Sequence, residues 1–393
     1  MYQTFDRWDA LAADPVIGNR DTIPLSNAQS DSTMSLPIRP VGRDTIAAAC
    51  LLRATACLRT KIRCGGGDEV YEWERWLRHM IYVENQKLAG AQGDELQQSW
   101  QGKDFLAKEI EPASLALDKF RNCQWEEFNF FSKKMTKQKK STILSQLNFL
   151  RDLIGAAASA KEAEIIVLEW LIRAEKHANN NENKLLNQDF DDFLPLIEKW
   201  ALWMALARPS PMQRHARVFA LLDMMESNRS DGVTDSSSDD DLATLKESMN
   251  DYKFGTSAGG KRVAAAILSR MNSFLMITDG KTPSYDEERA VSFILPEKIT
   301  KGSGWETWSE EKHEECVNCL GNLALTSKSD TNGKRKRTTD STWEAKVKAF
   351  KKEKWPMTNS LADSDVWDIQ ALHKNQENTA SLFEQIWMTE IRK

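Results

Sequence analysis

From Asp44 to Leu275 apolar residues recur at intervals of three and four, and the strict alternation of a half-buried strand is rare. The first clear stripe runs from Asp44 to about Arg63 through Ile46, Cys50, Leu51, Ala54, Cys57 and Leu58. A second, with Val70, Trp73, Trp76, Leu77, Met80, Ile81 and Val83, follows the Gly65-Gly66-Gly67 break. The same spacing predicts helices over Ala113–Asn122, Trp125–Lys134, Ser141–Ala157, Lys161–His177, Phe190–Ala207 and Pro211–Ser227. Ser141 and Thr142 are the residues expected to cap the third of these. Helices near Leu242–Tyr252 and Lys261–Leu275 come next, separated by the glycines at 255, 259 and 260.

Beyond Leu275 the pattern changes. Met276–Thr278, Val291–Leu295 and Leu323–Thr326 read as short strands, the second ended by Pro296, which lacks a backbone donor. Helices are predicted to close the chain at Thr342–Lys354, Asp365–Asn375 and Asn378–Arg392. The expected fold is mainly α: a multi-helical body, a small ββα element and C-terminal helices. Four segments follow: an extended arm over 1–43, a helical domain over 44–227, an acidic Ser/Asp-rich linker over 228–241, and a C-terminal domain over 242–393.

Composition is that of a globular chain, with 41% hydrophobic and 28% charged residues among 393. No apolar run approaches the roughly 18 residues of a membrane span. The N-terminus carries neither the basic flank nor the apolar core of a signal peptide, so a cytoplasmic, membrane-free protein is expected. The net charge of -5 conceals segregation. Between Ser327 and Lys354 ten Lys/Arg stand against four Asp/Glu, a local excess of +6, centred on Lys334-Arg335-Lys336-Arg337. Such a run is suited to neutralising a nucleic-acid backbone, or else is a solvated loop. A second basic group, Lys133, Lys134, Lys137, Lys139 and Lys140, lies among Phe128, Phe130 and Phe131. His313, Cys316 and Cys319 have the spacing of half a zinc site, but no second half follows, so no metal is assigned to them.

Two fragments carry most of the information: Phe293-Ile294-Leu295-Pro296-Glu297 and, some 25 residues on, Leu320-Gly321-Asn322-Leu323-Ala324-Leu325. With Trp343-Glu344-Ala345-Lys346 they resemble the C-terminal domain of GmrSD-type restriction endonucleases, an HNH-like (ββα-metal) nuclease family. That family reads acidic-His-Ile-Leu-Pro, then Leu-Gly-Asn-Leu, then an Asn-bearing loop, then an aromatic-x-x-Lys helix. The resemblance implies a histidine base at the end of the first strand and a carboxylate that holds a divalent ion. Here those positions are Phe293 and Ser292, and neither side chain can do either task. Asn322 fits the Gly-Asn turn, and Asn332 stands near the loop asparagine.

The resemblance therefore implies a nuclease-derived DNA-binding subunit, related to modification-dependent restriction and antiviral defence, with a degenerate active site. Phosphate contacts are expected from Lys334, Arg335, Lys336, Arg337, Lys346, Lys348, Lys351 and Lys352. No cofactor is assigned; Mg²⁺ or Mn²⁺ enters only if the site is active. Full-length relatives also carry a nucleotide-sensing domain, which has no equivalent in this sequence. That leaves a split subunit, a remnant or an unrelated N-terminal half, and in the first case a protein partner would supply the nucleotide-sensing or a catalytic domain. Two alternatives stay open: a helical scaffold that kept the fold without binding nucleic acid, and an endonuclease with catalysis relocated to Glu297, His313 or Asp330.

Overall fold

A computed structural model describes residues 111–228, 236–285, 289–327 and 342–388. The first part is a stack of helices: α1 (Glu111–Arg121), α2 (Lys137–Ala156), α3 (Ala163–Asn179), α4 (Asn183–Gln188), α5 (Leu194–Leu206) and α6 (Pro211–Ser227). Local chemistry starts and stops them. Thr136 caps α2 by accepting from the Lys139 N–H. A reciprocal Ser210–Gln213 capping box with Pro211 in the first turn opens α6, and Asn228 in the left-handed region closes it.

The chain continues through α7 (Ser236–Asp251) and α8 (Ala258–Thr278). Strands β1 (Arg289–Phe293) and β2 (Leu323–Ser327) then form one antiparallel pair, with α9 (Glu310–Cys316) between them. Helices α10 (Trp343–Phe350), α11 (Pro356–Ser360) and α12 (Ile369–Phe383) follow, the last running into a π turn at Glu384–Met388. Among the described residues the fold is therefore mainly α, with a single two-stranded element.

The hairpin register pairs Phe293 with Leu323, Ser292 with Ala324 and Val291 with Leu325. Its two faces enter different interiors, as the two-residue period of a strand requires. Phe293, Leu323 and Leu325 join a large apolar core that extends from Ala113 to Trp387 and includes α2, α5 and α8. Ala324 lies in a second core with Ile294, Leu295, Trp305, Trp343, Phe350 and Trp367. Helix α8 packs along α2 and against β1, so the interior is continuous between the early helices and the hairpin.

Two buried carboxylates, Glu198 and Asp189, are paired with arginines. Glu198, 2% exposed, accepts from Arg270 Nε at 2.6 Å, from Gln146 Nε2 at 3.0 Å and from Trp387 Nε1 at 3.1 Å. Asp189, in the π turn before α5, accepts from Arg173 Nε at 2.6 Å and contacts His177 Nδ1 at 2.7 Å. Burial pushes the Asp189 carboxyl up, while Arg173 and His177 oppose the shift.

Several expected elements differ. Met276–Thr278 is not a strand but the last turn of α8; Ile277 is buried there, and Thr278 Oγ1 donates to the Phe274 carbonyl. Trp125–Lys134 forms two 3-10 turns, Trp125–Glu127 and Asn129–Ser132, not a helix. Phe128, Phe130 and Phe131 are all buried, and the extended backbone at Phe128 separates the two turns. The cap of α2 is Thr136, with Ser141 buried inside the helix. The two closing helices are one, because Asn375 and Gln376, which read as a break, are consumed in contacts with Gly321. Of the acidic 228–241 stretch, residues from Ser236 onward are helical. The readings over 1–110, 229–235 and 328–341 lie outside the described residues.

Candidate functional site at the hairpin end

The end of β1 is where the three motifs converge. Asn322 is fully buried, and its amide clamps the turn after β1. Its Oδ1 accepts from Leu295 N at 2.7 Å, while Nδ2 donates to Leu295 O at 3.1 Å and to Val317 O at 2.9 Å. The Asn322 carbonyl also accepts from Ile294 N at 2.9 Å. Gly321 beside it meets α12 closely: a Cβ there would lie 2.4 Å from Gln376 Oε1 and 2.8 Å from its Cα. The Leu-Gly-Asn-Leu motif thus has a physical reading. Leu320 and Leu323 enter the large core, Gly321 admits α12, and Asn322 ties the two strands' connecting turns.

Phe293 is 3% exposed, and chain covers its ring. A Cβ on Gly255 would lie 2.8 Å from two ring carbons, so the backbone before α8 rests directly on it. Lys261 Nζ sits 4.8 Å from the ring centroid and pairs with Glu297 at 3.6 Å. The preceding residue joins this contact, since Phe254 N donates to Asn318 O at 2.9 Å. Ser292, 7% exposed, lies on the opposite face with Ala324.

Lys346 corrects an expectation. It was expected to reach a phosphate, yet it is fully buried, and its Nζ donates to the Phe293 carbonyl at 2.7 Å, 5.8 Å from the Trp305 ring centroid. The signal was present in the sequence: Trp343, Lys346 and Phe350 share one helix face, and all three are buried. Lys348, Lys351 and Lys352 are exposed on the other side of α10 and the turn after it. Lys334, Arg335, Lys336, Arg337, Asp330 and Asn332 lie outside the described residues. The second basic group is largely engaged. Lys139 pairs with Asp191 at 2.9 Å, Lys140 with Glu126 at 3.1 Å, and Lys133 donates to Asn181, while the intervening phenylalanines are core.

The relocated candidates are engaged too. His313 Nε2 lies 2.7 Å from the Pro296 carbonyl, which can only accept, so Nε2 carries a proton and is not a base at that nitrogen. Burial pushes the Cys319 thiol up to about 11 and raises that of Cys316, opposite to what a thiolate zinc ligand requires. A hard dication of the kind the resemblance implies needs several oxygens, carboxylates among them. Among the described residues no three His, Cys, Asp or Glu come together around a point that could hold one. The donors present at the hairpin end do not fit the ion.

Sequence reasoning missed Gly255 and Lys261 as the cover over Phe293. Gly255 was visible only as a break before a helix, and nothing local said which strand it would meet. Buried Glu198 was also missed, although its neighbours Leu194, Leu196, Ile197, Trp200 and Ala201 are apolar on all sides of the helix.

A family model described as GmrSD restriction endonucleases, C-terminal domain, matches residues 236–382. The matched segment begins with α7, contains the hairpin and α10, and ends one residue before α12 does. No curated protein matches the chain significantly. Among the described residues no helix is long and apolar enough to cross a membrane.

Proposed function

We propose, from the match of residues 236–382 to the C-terminal domain of GmrSD restriction endonucleases, that the chain is a nuclease-derived DNA-binding subunit whose own cutting site is closed. The observation that carries the reading is Phe293. At the position of the family's base stands a side chain with no proton acceptor, 3% exposed beneath Gly255 and Lys261. Phe293 offers an attacking water no proton acceptor, and Ser292 brings no carboxylate.

DNA binding draws its support from charge. Lys348, Lys351 and Lys352 are exposed, and the sequence carries the run Lys334-Arg335-Lys336-Arg337 shortly before them. Phosphate contacts of this kind are independent of base sequence. The lineage favours a role in restricting foreign, modified DNA, hence antiviral defence inside a cell. A separate protein would then supply nucleotide sensing or cutting.

Duplex binding measured across a salt series tests the reading. Replacing Lys334, Arg335, Lys336 and Arg337 by Ala should flatten the log–log salt slope by up to ~3.6, from the B-DNA rule of about 0.9 per phosphate. Replacing Lys348, Lys351 and Lys352 should remove up to ~2.7 more on the same rule. With Mg²⁺ or Mn²⁺ no cleavage of modified or unmodified duplex is expected. Absence of salt-dependent binding would leave the scaffold reading standing instead. Cleavage lost on Glu297→Ala or His313→Ala would place a working site elsewhere.

A further inference from the structure

Cys316 ends α9, and Cys319 stands three residues on, at the entry to the Leu320–Asn322 turn before β2. Cys319 N donates to the Cys316 carbonyl at 3.1 Å, so Cys316-Val317-Asn318-Cys319 is a closed turn. The outer Cα atoms of such a turn lie within about 7 Å, and a disulfide spans roughly 4.4–6.8 Å between its own. Both side chains enter one apolar cluster, which also holds Ile294, Leu295 and Trp343, and both thiols are free. The geometry points to a reversible dithiol–disulfide couple at Cys316 and Cys319, whose oxidised form locks the turn beside the hairpin end. It stands apart from the DNA-binding reading, since neither cysteine is among the proposed phosphate contacts.

The residues inside the ring carry two of the bonds that order this region. Val317 O accepts from Asn322 Nδ2 at 2.9 Å, and Asn318 O accepts from Phe254 N at 2.9 Å. The first bond belongs to the clamp at the end of β1. The second holds the backbone that continues through Gly255 onto the Phe293 ring. A disulfide across the turn restrains both acceptors at once. Burial alone would suit two cysteines acting as small apolar residues; the closed turn and the shared cluster are what pair them.

The oxidant is a small disulfide of the glutathione class. Cys319 is the more open of the two, and its thiolate attacks one sulfur of that reagent. The reagent's S–S bond breaks, and one half leaves as a thiolate and takes up a proton. The Cys316 thiolate then attacks the Cys319 sulfur in the mixed disulfide and expels the second half. The two cysteines lose two electrons and two protons, and the reagent ends as two thiols. Burial first, and Cys316 after it, push the Cys319 thiol up to about 11, so the exchange is slow at neutral pH. A thiolate that burial disfavours also lends the reduced form no extra stability, and the disulfide once made is held firmly.

The test uses the full chain, reduced and then held with excess oxidised glutathione at mildly alkaline pH until exchange reaches a plateau. Remaining thiols are alkylated in denaturant and the chain is cut with trypsin. Lys312 and Lys328 bracket one peptide that contains both cysteines. That peptide is expected unalkylated and lighter by two hydrogens in most chains, and restored by dithiothreitol. Two alkylated thiols, two separate glutathione adducts, or a bond from either residue to another cysteine overturns the inference. Urea unfolding reads the lock: a four-residue ring should raise the folding equilibrium constant by about 20-fold on the chain-entropy rule. Cys316→Ser, treated identically, should gain nothing and carry glutathione on Cys319. An oxidised wild-type chain no more stable than the reduced one removes the lock. If Cys316→Ser does not fold, the wild-type peptide map and its two unfolding curves still decide.

Discussion

Asn322 is the position where a structural and a catalytic role make opposite predictions. Its side chain makes three hydrogen bonds, to Leu295 N, Leu295 O and Val317 O, with no exposure to solvent. Asn322→Ala removes all three, at about 1 kcal/mol net each. It also strands one N–H and two carbonyls where water has no access, at ~1–3 kcal/mol for each group left unmet. Neighbouring relaxation recovers part of that, so a loss of roughly 3–5 kcal/mol is expected, in the range reserved for buried polar networks. Asn322→Asp sharpens the test. The carboxylate can still accept from Leu295 N, but its other oxygen faces two carbonyls at 2.9 and 3.1 Å. That geometry favours the protonated acid, so the folded-state pKa must rise above the unfolded ~3.9. Stability of this variant is then fullest below about pH 4. It is lost as pH rises toward the folded pKa, with a slope of up to ~1.4 kcal/mol per unit beyond that of wild type. Urea unfolding at several pH values reads both effects. A loss under 1 kcal/mol for Asn322→Ala, or an Asn322→Asp curve parallel to wild type between pH ~4 and ~7, would refute the clamp.

Gly255→Ala would place a Cβ 2.4 Å from Asn318 Oδ1 and 2.8 Å from the Phe293 ring, so a destabilisation of about 1–3 kcal/mol is expected from overpacking; unchanged stability would mean that the loop does not press on Phe293. Glu198→Leu leaves Arg270, Gln146 and Trp387 without their shared acceptor, and chemical unfolding should register a loss of about 3–5 kcal/mol. A neutral outcome would show that this network is dispensable. Cys319, held up to about 11 by burial, should resist alkylation at neutral pH while exposed Cys123 reacts, as peptide mapping can show. Because its folded pKa is raised, its contribution is complete below the ordinary thiol range near pH 9 and lost as pH rises through about 11; equal labelling of the two cysteines at pH 7 would contradict that burial.

Much of the helical body could be read from spacing, because a 3.6-residue period survives wherever one face is buried. The bounds of α6 follow directly from Ser210, Pro211 and Asn228, whose chemistry is local. The hairpin was also legible, within two residues at either end. What failed depended on distant contacts. Phe128, Phe130 and Phe131 fit a helix by composition, but Phe128 is extended in the folded chain and all three rings pack into the core. Met276–Thr278 looks β-prone by residue type and is helical because α8 continues along α2. At the site, Ser292 and Phe293 could be read as losses from the motif alone. That Gly255 and Lys261 close over Phe293 could not, since thirty-odd residues separate them in sequence and no local rule joins them.

The shared interior of α2, α8 and the hairpin bears on how this chain can change over generations. Phe149 on α2 packs against Trp387 with ring centroids 5.4 Å apart, and Trp387 reaches back to Glu198 on α5. Together with α8, which lies inside the matched segment and packs along α2, these contacts leave that segment no clean seam with the helices before it. Recombination near 229–235 that exchanged it for a relative's would join two halves shaped for other neighbours. Substitutions on α2 and α8 are accordingly expected to be epistatic, each tolerated or rejected according to what the other helix carries.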